Sequence, residues 1–118
     1  MKYMLLVYLD EHGLSESERE HCYIESAQLA QDLSAGGKYL SAGPLHPTAT
    51  ATSIRVRDGK RLVTDGPFAE TREQLGGYYL IDANDLDEAM RIAERVPVAK
   101  FGTVEIRPVL EIQGLPAQ

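Results

Sequence analysis

The fold is decided by one stretch near the middle of the chain, residues 54–68, which reads IRVRDGKRLVTDGPF. Alternating apolar and basic residues lead into Asp58-Gly59, a dipeptide that favours a two-residue type I′ turn because both central positions need positive φ. In that register Thr52 pairs with Asp65, and alternation of side chains places Asp65 on the apolar face of the hairpin. A three-residue turn would move Asp65 to the other face.

A strand–helix–strand unit is predicted on each side of this hairpin. The elements, in chain order, are a strand at 2–9, a helix at about 15–35 that a capping box starts, a strand at 38–45, a strand at 76–82, a helix between Asp85 and Pro97, and a strand at 103–108. Two such units joined by a hairpin predict a ferredoxin-like α+β sheet with both helices on one face. We expect one domain at residues 1–112, followed by a C-terminal tail at 113–118.

Two helices on one face leave the other face of the sheet bare. The predicted strands carry more apolar side chains than two helices can cover, and an apolar surface of that size marks a partner surface. The side chains in question are Tyr3, Leu5, Val7, Tyr79, Ile81, Val104 and Ile106. We therefore predict a symmetric homodimer in which the two sheets pack face to face.

Composition argues against several classes of protein. The 118 residues include 12 basic and 18 acidic side chains, and a net charge of −6 argues against a nucleic-acid partner, since phosphate binding needs clustered Lys and Arg. No apolar run approaches the roughly 20 residues of a membrane helix, and the N-terminal run lacks the features of a signal peptide, so a cytoplasmic protein without membrane contact is predicted. With one cysteine, Cys22, and three scattered histidines, neither a metal site nor a cofactor is predicted.

Several motifs carry a family resemblance over nearly the whole chain. They are MKYMLL at 1–6, ATATSIRVRDG at 49–59, VTDGPFAET at 63–71, QLGGYY at 74–79, YLID at 79–82 and DLDEA at 85–89. The chain with these motifs resembles the DGPF proteins of the YCII-related family. The resemblance implies a dimeric α+β barrel of two ferredoxin-like protomers, with a pocket between sheet and helices.

The resemblance says less about activity. Related YCII-type proteins carry a histidine and an aspartate thought to be catalytic, and at least one relative is a dehydrochlorinase of hydroxyquinones. Counting back from Gly43-Pro44, which matches the Gly-Pro of YCII-type proteins, places the histidine position at Ser26 and the acidic position at Ala35. Neither catalytic residue is present, so any chemistry must use other groups.

Asp65 and His46 are the predicted catalytic residues. Asp65 would be a general base with a pKa raised by its apolar neighbours, with His46 or Tyr78 as its partner. The alternatives are that Asp65 accepts backbone N–H bonds in its own turn, and that His46 is a surface or hydrogen-bonded histidine. The predicted ligand-binding residues are Gly43, Pro44, Gly66, Pro67, Phe68, Ser26, Tyr78 and Arg72. Phe68 is expected to fill the core or, as the alternative, to form a pocket wall.

Two functions remain open at this point. The first is a small enzyme of the lyase or isomerase type that needs no cofactor and abstracts a proton from a small organic molecule. The second is a non-catalytic dimer that binds a small ligand or regulates another protein. The family resemblance favours the first, and the missing catalytic pair favours the second.

Overall fold

A computed structural model describes residues 1–116, and its helices and strands follow one another in the predicted order. The elements are β1 (Lys2–Leu9), α1 (Glu16–Ala35), β2 (Tyr39–Pro44), β3 (Thr52–Arg57), β4 (Lys60–Asp65), β5 (Gln74–Asp82), α2 (Leu86–Ala93) and β6 (Thr103–Pro108). Short 3₁₀ turns follow β2 and α2, at Thr48–Thr50 and Pro97–Lys100. The part of the predicted tail that lies beyond residue 116 is outside the described residues.

Four of the strands form an antiparallel sheet in the order β2-β5-β1-β6. Each β–α–β unit therefore places its two strands on either side of a strand from the other unit, which confirms the ferredoxin-like α+β fold. The capping box that starts α1 is also confirmed. The Glu18 amide donates to Ser15 Oγ at 3.2 Å, and the Ser15 amide donates to Glu18 Oε1 at 2.9 Å.

The hydrophobic core lies between one face of this sheet and the two helices. Leu29 and Leu33 of α1, together with Ala89 and Ile92 of α2, belong to the same buried cluster as the inward side chains of β1 and β5. The sequence predicts that the two helices leave some of the apolar strand residues uncovered. This prediction is wrong, because the helices pack over the face that carries them. Five of them are buried in the core and two are partly buried against it: Tyr3, Leu5, Val7, Tyr79 and Ile81, then Val104 and Ile106.

The opposite face of the sheet, which no helix covers, is built by the alternate residues of the same strands. Met4, Leu6 and Tyr8 of β1 are half-buried there, and Tyr78 of β5 lies beside them. β6 places Glu105 opposite Leu6 on this face. The bare face is thus an apolar band with a charged strand at one side.

β3 and β4 form a separate two-stranded hairpin. The predicted register is confirmed, since Thr52 pairs with Asp65, and Asp58 and Gly59 take φ values of 53° and 73° as a type I′ turn requires. The predicted placement of Asp65 beside the core is wrong. The apolar face of the hairpin does not pack against the protomer's core, and Asp65 is exposed.

Candidate functional site

A cavity of about 310 Å³ lies between residues 19–30 of α1 and the sheet. Its walls come from α1, from the facing ends of β1, β2 and β5, and from the loops that follow β1 and β2. Leu29 and Leu33 anchor the C-terminal part of α1 to the sheet, and the part of the helix that precedes them passes over the cavity as a roof.

The cavity exists because small residues occupy positions where large ones would fill the core. Cys22, Ser26 and Ala30 follow one another at four-residue spacing on α1, so they lie on one face of the helix, and all three line the cavity. Across from them, Gly77 of β5 is required by close packing, because a Cβ there would lie 3.0 Å from the Gly43 carbonyl oxygen. The missing side-chain volume on both sides leaves room for a molecule.

Most of the lining is apolar, with a few hydroxyl and thiol groups. The Tyr79 hydroxyl donates to the Ser26 carbonyl oxygen at 3.4 Å, and burial raises the Tyr79 pKa above its ordinary value. Burial also raises the pKa of the Cys22 thiol, and the carboxylates of Glu25 and Glu18 add to this effect. Both groups are therefore uncharged at neutral pH, and Cys22 lacks the electropositive surroundings of a reactive thiolate.

Glu11 organises the mouth of the cavity through four hydrogen bonds. Its carboxylate accepts from the backbone amide of Thr48 at 3.2 Å and also from the Thr48 hydroxyl. Its own amide donates to Gln74 Oε1 at 3.0 Å, and its carbonyl accepts from Arg19 Nη2 at 2.8 Å. The loops after β1 and β2 are thereby tied to the start of β5 and to α1.

Five of the predicted site residues line this cavity: Ser26, Gly43, Pro44, His46 and Tyr78. His46 is exposed and lies two residues before Thr48, on the loop that Glu11 holds. Tyr78 is a lining residue, but its side chain extends along the uncovered face of the sheet, where its hydroxyl lies 3.1 Å from Ser41 Oγ. The structure thus brings His46 and Ser26 to one site, although they are 20 residues apart in the chain.

The other predicted site residues lie elsewhere. Asp65, Gly66, Pro67, Phe68 and Arg72 are not part of the cavity lining. The expectation that Phe68 fills the core is wrong, because 81% of its surface is exposed. Within residues 1–116 the Asp65 carboxylate accepts no hydrogen bond, so it does not stabilise its own turn in the way the alternative required.

The DGPF motif instead closes the base of the hairpin. The Gly66 amide donates to the Ala51 carbonyl at 2.7 Å, and the Ser53 hydroxyl donates to the Gly66 carbonyl at 2.8 Å. Gly66 has a φ of 104°, which a residue with a Cβ rarely adopts. The glycine of the motif is therefore structural in the protomer.

Sequence reasoning missed several cavity residues. Glu11 and Arg19 were not considered, and Tyr79 was considered only as one of the apolar residues of the sheet. A usable signal was present on α1, where Cys22 and Ser26 interrupt the buried stripe with small side chains. No pattern in the sequence links Glu11 to Thr48, which is 37 residues away.

Two features are absent from residues 1–116. No helix among them is long and apolar enough to cross a membrane. No cluster of three or more His, Cys, Asp or Glu side chains in this part of the chain is arranged to hold a metal ion.

The fold and the cavity together define a small ferredoxin-like α+β protein with a ligand-sized space between helix and sheet. The YCII-related domain matches residues 1–113, and the chain belongs to this family. An uncharacterized protein of Rhizobium meliloti (strain 1021) is 42% identical, over 92% of each chain. The structure is also similar to that of 5-chloro-2-hydroxyhydroquinone dehydrochlorinase from Burkholderia phenoliruptrix AC1100 in complex with 2,5-dihydroxybenzoquinone. That similarity has a TM-score of 0.57 and 16% identity, and covers 96% of this chain and 97% of the enzyme.

Proposed function

We propose that the cavity beneath α1 binds a small organic molecule with one ring and a few hydroxyl or keto groups. The observation that carries this proposal is the cavity itself, whose volume of about 310 Å³ lies at the small end of the range for ligand pockets. Its lining is largely apolar, and tyrosine and histidine rings border it at Tyr23, Tyr39 and His46. Flat aromatic walls favour a flat ligand, because rings stack well on one another.

The reaction that this site supports best is a proton transfer without a cofactor. Among the lining residues, His46 is the side chain type that accepts and donates protons near neutral pH. If the bound ring is in a keto form whose leaving group lies on a saturated ring carbon, a base that removes a hydroxyl proton breaks the O–H bond. The electrons of that bond form a C=O bond, the ring double bond shifts to the saturated carbon, and the leaving group departs with the electrons of its bond to that carbon. The protein would then act as a lyase or isomerase. Asp65 has no part in this step within one protomer, because it does not line the cavity.

A second candidate is a protein that binds such a molecule without changing it. Two observations favour this function. The Glu11 carboxylate, which also lines the cavity, is occupied by Thr48 and is not available to orient or charge His46. Ser26 stands where the resemblance places the catalytic histidine of YCII-type proteins.

The sheet face that no helix covers supports a homodimer. Its band of half-buried apolar side chains at Met4, Leu6 and Tyr8 is a surface that a second sheet would bury. Leu6→Asp places a charge at the centre of this face, and we expect it to raise the dimer dissociation constant at least about tenfold. Because this face is opposite the cavity side, the variant should still bind the ligand.

A location in the cytoplasm is consistent with the free thiol of Cys22.

The decisive experiment uses the two ring compounds that the structural neighbour's name and complex provide. Cys22 lines the cavity and is the only cysteine, so its alkylation rate reports occupancy. We expect 2,5-dihydroxybenzoquinone to slow that alkylation. We also expect wild-type protein to release chloride from 5-chloro-2-hydroxyhydroquinone, and His46→Ala to do so at least about a hundredfold more slowly. His12→Ala, which changes an exposed histidine outside the cavity, is the matched control.

Each outcome separates the candidates. Protection of Cys22 without chloride release would favour the binding protein over the enzyme. Chloride release that His46→Ala leaves unchanged would exclude His46 as the proton-transfer group. Absence of both protection and turnover would contradict a ring ligand of this kind.

A further inference from the structure

The hairpin and the DGPF motif together form a projecting segment, residues 52–68, which we call the arm. The function proposed for the cavity leaves the arm unexplained, because none of its residues lines the cavity. The chain is broader than a compact domain of its length, with a radius of gyration of 16.0 Å where about 13.5 Å is expected. Within residues 1–116, no helix or other strand packs substantially on β3 or β4.

One face of the arm is apolar and uncovered. Ile54, Val56 and Val63 alternate onto the same side of the hairpin, and their surfaces are 61%, 62% and 51% exposed. Phe68 follows at the base of the arm and is more exposed still. An isolated two-stranded hairpin is marginally stable in water, so a hairpin with β-branched residues along one side is stabilised when that side is buried.

Charge indicates what covers this face. The hairpin at residues 52–65 carries four of the chain's 12 basic residues but only two of its 18 acidic residues. The rest of the chain is therefore strongly acidic while the hairpin is basic. A second copy of the same chain carries the complementary net charge outside its own hairpin. Attraction between the two would draw the arm towards that copy, with Arg61 on the apolar face and the other three basic side chains on the opposite face.

We propose that the arm docks on a second copy of this chain and buries Ile54, Val56 and Val63 against it. The contact is separate from the sheet face described above, since the arm is not part of the four-stranded sheet. In a two-fold symmetric dimer the interaction occurs twice, once with each arm. The DGPF motif thereby has a role at the arm's base, where Gly66 closes the hairpin and Phe68 extends its apolar surface.

The experiment compares two adjacent residues on opposite faces of the arm. Val63→Asp charges the apolar face, whereas Leu62→Asp introduces the same group at a similarly exposed position, 48% in Leu62, on the other face. Sedimentation equilibrium of the full chain measures the dimer dissociation constant, and circular dichroism checks that both variants are folded. We expect Val63→Asp to raise the dissociation constant at least about tenfold and Leu62→Asp to change it less than about threefold. Raising NaCl from about 50 mM to about 500 mM should also weaken the wild-type dimer, because salt screens the charges.

Three results would overturn the inference: a wild-type protein that remains monomeric, equal effects of the two variants, or a dissociation constant that Val63→Asp does not change. If Leu6→Asp weakens the dimer and Val63→Asp does not, the arm does not dock on a second copy and the sheet-face contact stands. Ligand protection of Cys22, measured on the same variants, tests the cavity independently of either contact.

Discussion

The carboxylate of Glu11 accepts hydrogen bonds from both the amide and the hydroxyl of Thr48, so two loops separated by 37 residues meet at the mouth of the cavity. His46 lies on the second of these loops and faces the cavity. The position of this histidine therefore depends on the contact between Glu11 and Thr48. Glu11 acts as a positioning residue for this wall.

Glu11→Ala should loosen the loop that carries His46. The Thr48 amide loses its acceptor, and its hydrogen exchange is expected to accelerate about tenfold or more, which corresponds to the loss of one charge-assisted hydrogen bond. Glu11→Gln keeps an acceptor oxygen and should restore most of the protection. Exchange measured by NMR checks both variants, and an unchanged Thr48 amide in Glu11→Ala would show that the loop is held by other contacts.

Ser26→Leu should fill the cavity without disturbing the fold. The Ser26 side chain points into empty volume, while the contact with the Tyr79 hydroxyl is made by the Ser26 backbone and survives the change. We expect ligand affinity to fall at least about tenfold and the unfolding free energy to stay within ~1.5 kcal/mol of wild type or rise.

Gln28→Leu provides the control, because it adds the same side chain at an exposed position on α1. Thermal unfolding and Cys22 protection are measured on both variants. Normal ligand binding by Ser26→Leu would mean that the ligand does not occupy the space beneath α1.

The fold was predictable because its signals are local, whereas the cavity depends on contacts that are not. Asp58-Gly59 fixes the turn type and hence the complete register of the hairpin, which was predicted correctly. No local sequence pattern shows what packs against the hairpin. Asp65 was therefore expected beside the core, but the core does not extend to the hairpin. The sequence shows that Ser26 interrupts the apolar stripe of α1. This interruption indicates a cavity only when Gly77 is known to lie on the opposite wall.

His46 was predicted as a catalytic residue, and Gly43 and Pro44 were predicted to bind the ligand. All three line the cavity, and their roles stay predictions. The contact from Glu11 to Thr48 could not be predicted, since it joins loops whose positions are set by the whole sheet. The exposure of Phe68 was also missed, because an aromatic residue beside Gly-Pro is equally compatible with a core, a pocket or an interface.

Tyr79→Phe should remove the last steps of the protein's tyrosine titration. Burial raises the pKa of Tyr79 above its ordinary value of 10.0, so the folded state keeps this hydroxyl protonated at a pH where the unfolded state ionises it. The stability that this shift provides is present below about pH 10 and is lost as the pH rises through the folded-state pKa. The absorbance of tyrosinate as a function of pH measures the effect. Folded wild-type protein should show an ionisation step at high pH that the folded Tyr79→Phe variant lacks. Wild-type protein unfolded in denaturant should also lack this step. If the curves of wild type and Tyr79→Phe differ only near pH 10, where an exposed tyrosine ionises, the result would contradict the burial of the Tyr79 hydroxyl.

Glu88→Gln should reduce the loss of stability in acid. The Glu88 pKa is lowered because its carboxylate accepts the Asn84 amide at 2.8 Å, with a further contribution from Lys38 at 3.0 Å. A lowered pKa gives stability that is present above the ordinary value of about 4.5 and is lost as the pH falls through the folded-state pKa. Denaturant unfolding of both proteins between neutral and acidic pH measures this, with exposed Glu94→Gln as the control. Equal acid sensitivity in wild type and Glu88→Gln would show that this contact does not link α2 to the start of β2.

The most direct test of the ligand site is an amide-shift titration by NMR with 2,5-dihydroxybenzoquinone. The predicted result is a cluster of shifted or broadened amides at Cys22, Ser26, Gly43 and Gly77, which surround the cavity beneath α1. Shifts confined to residues 65–68 would instead place the ligand at the DGPF motif and contradict the assignment of the site to the cavity.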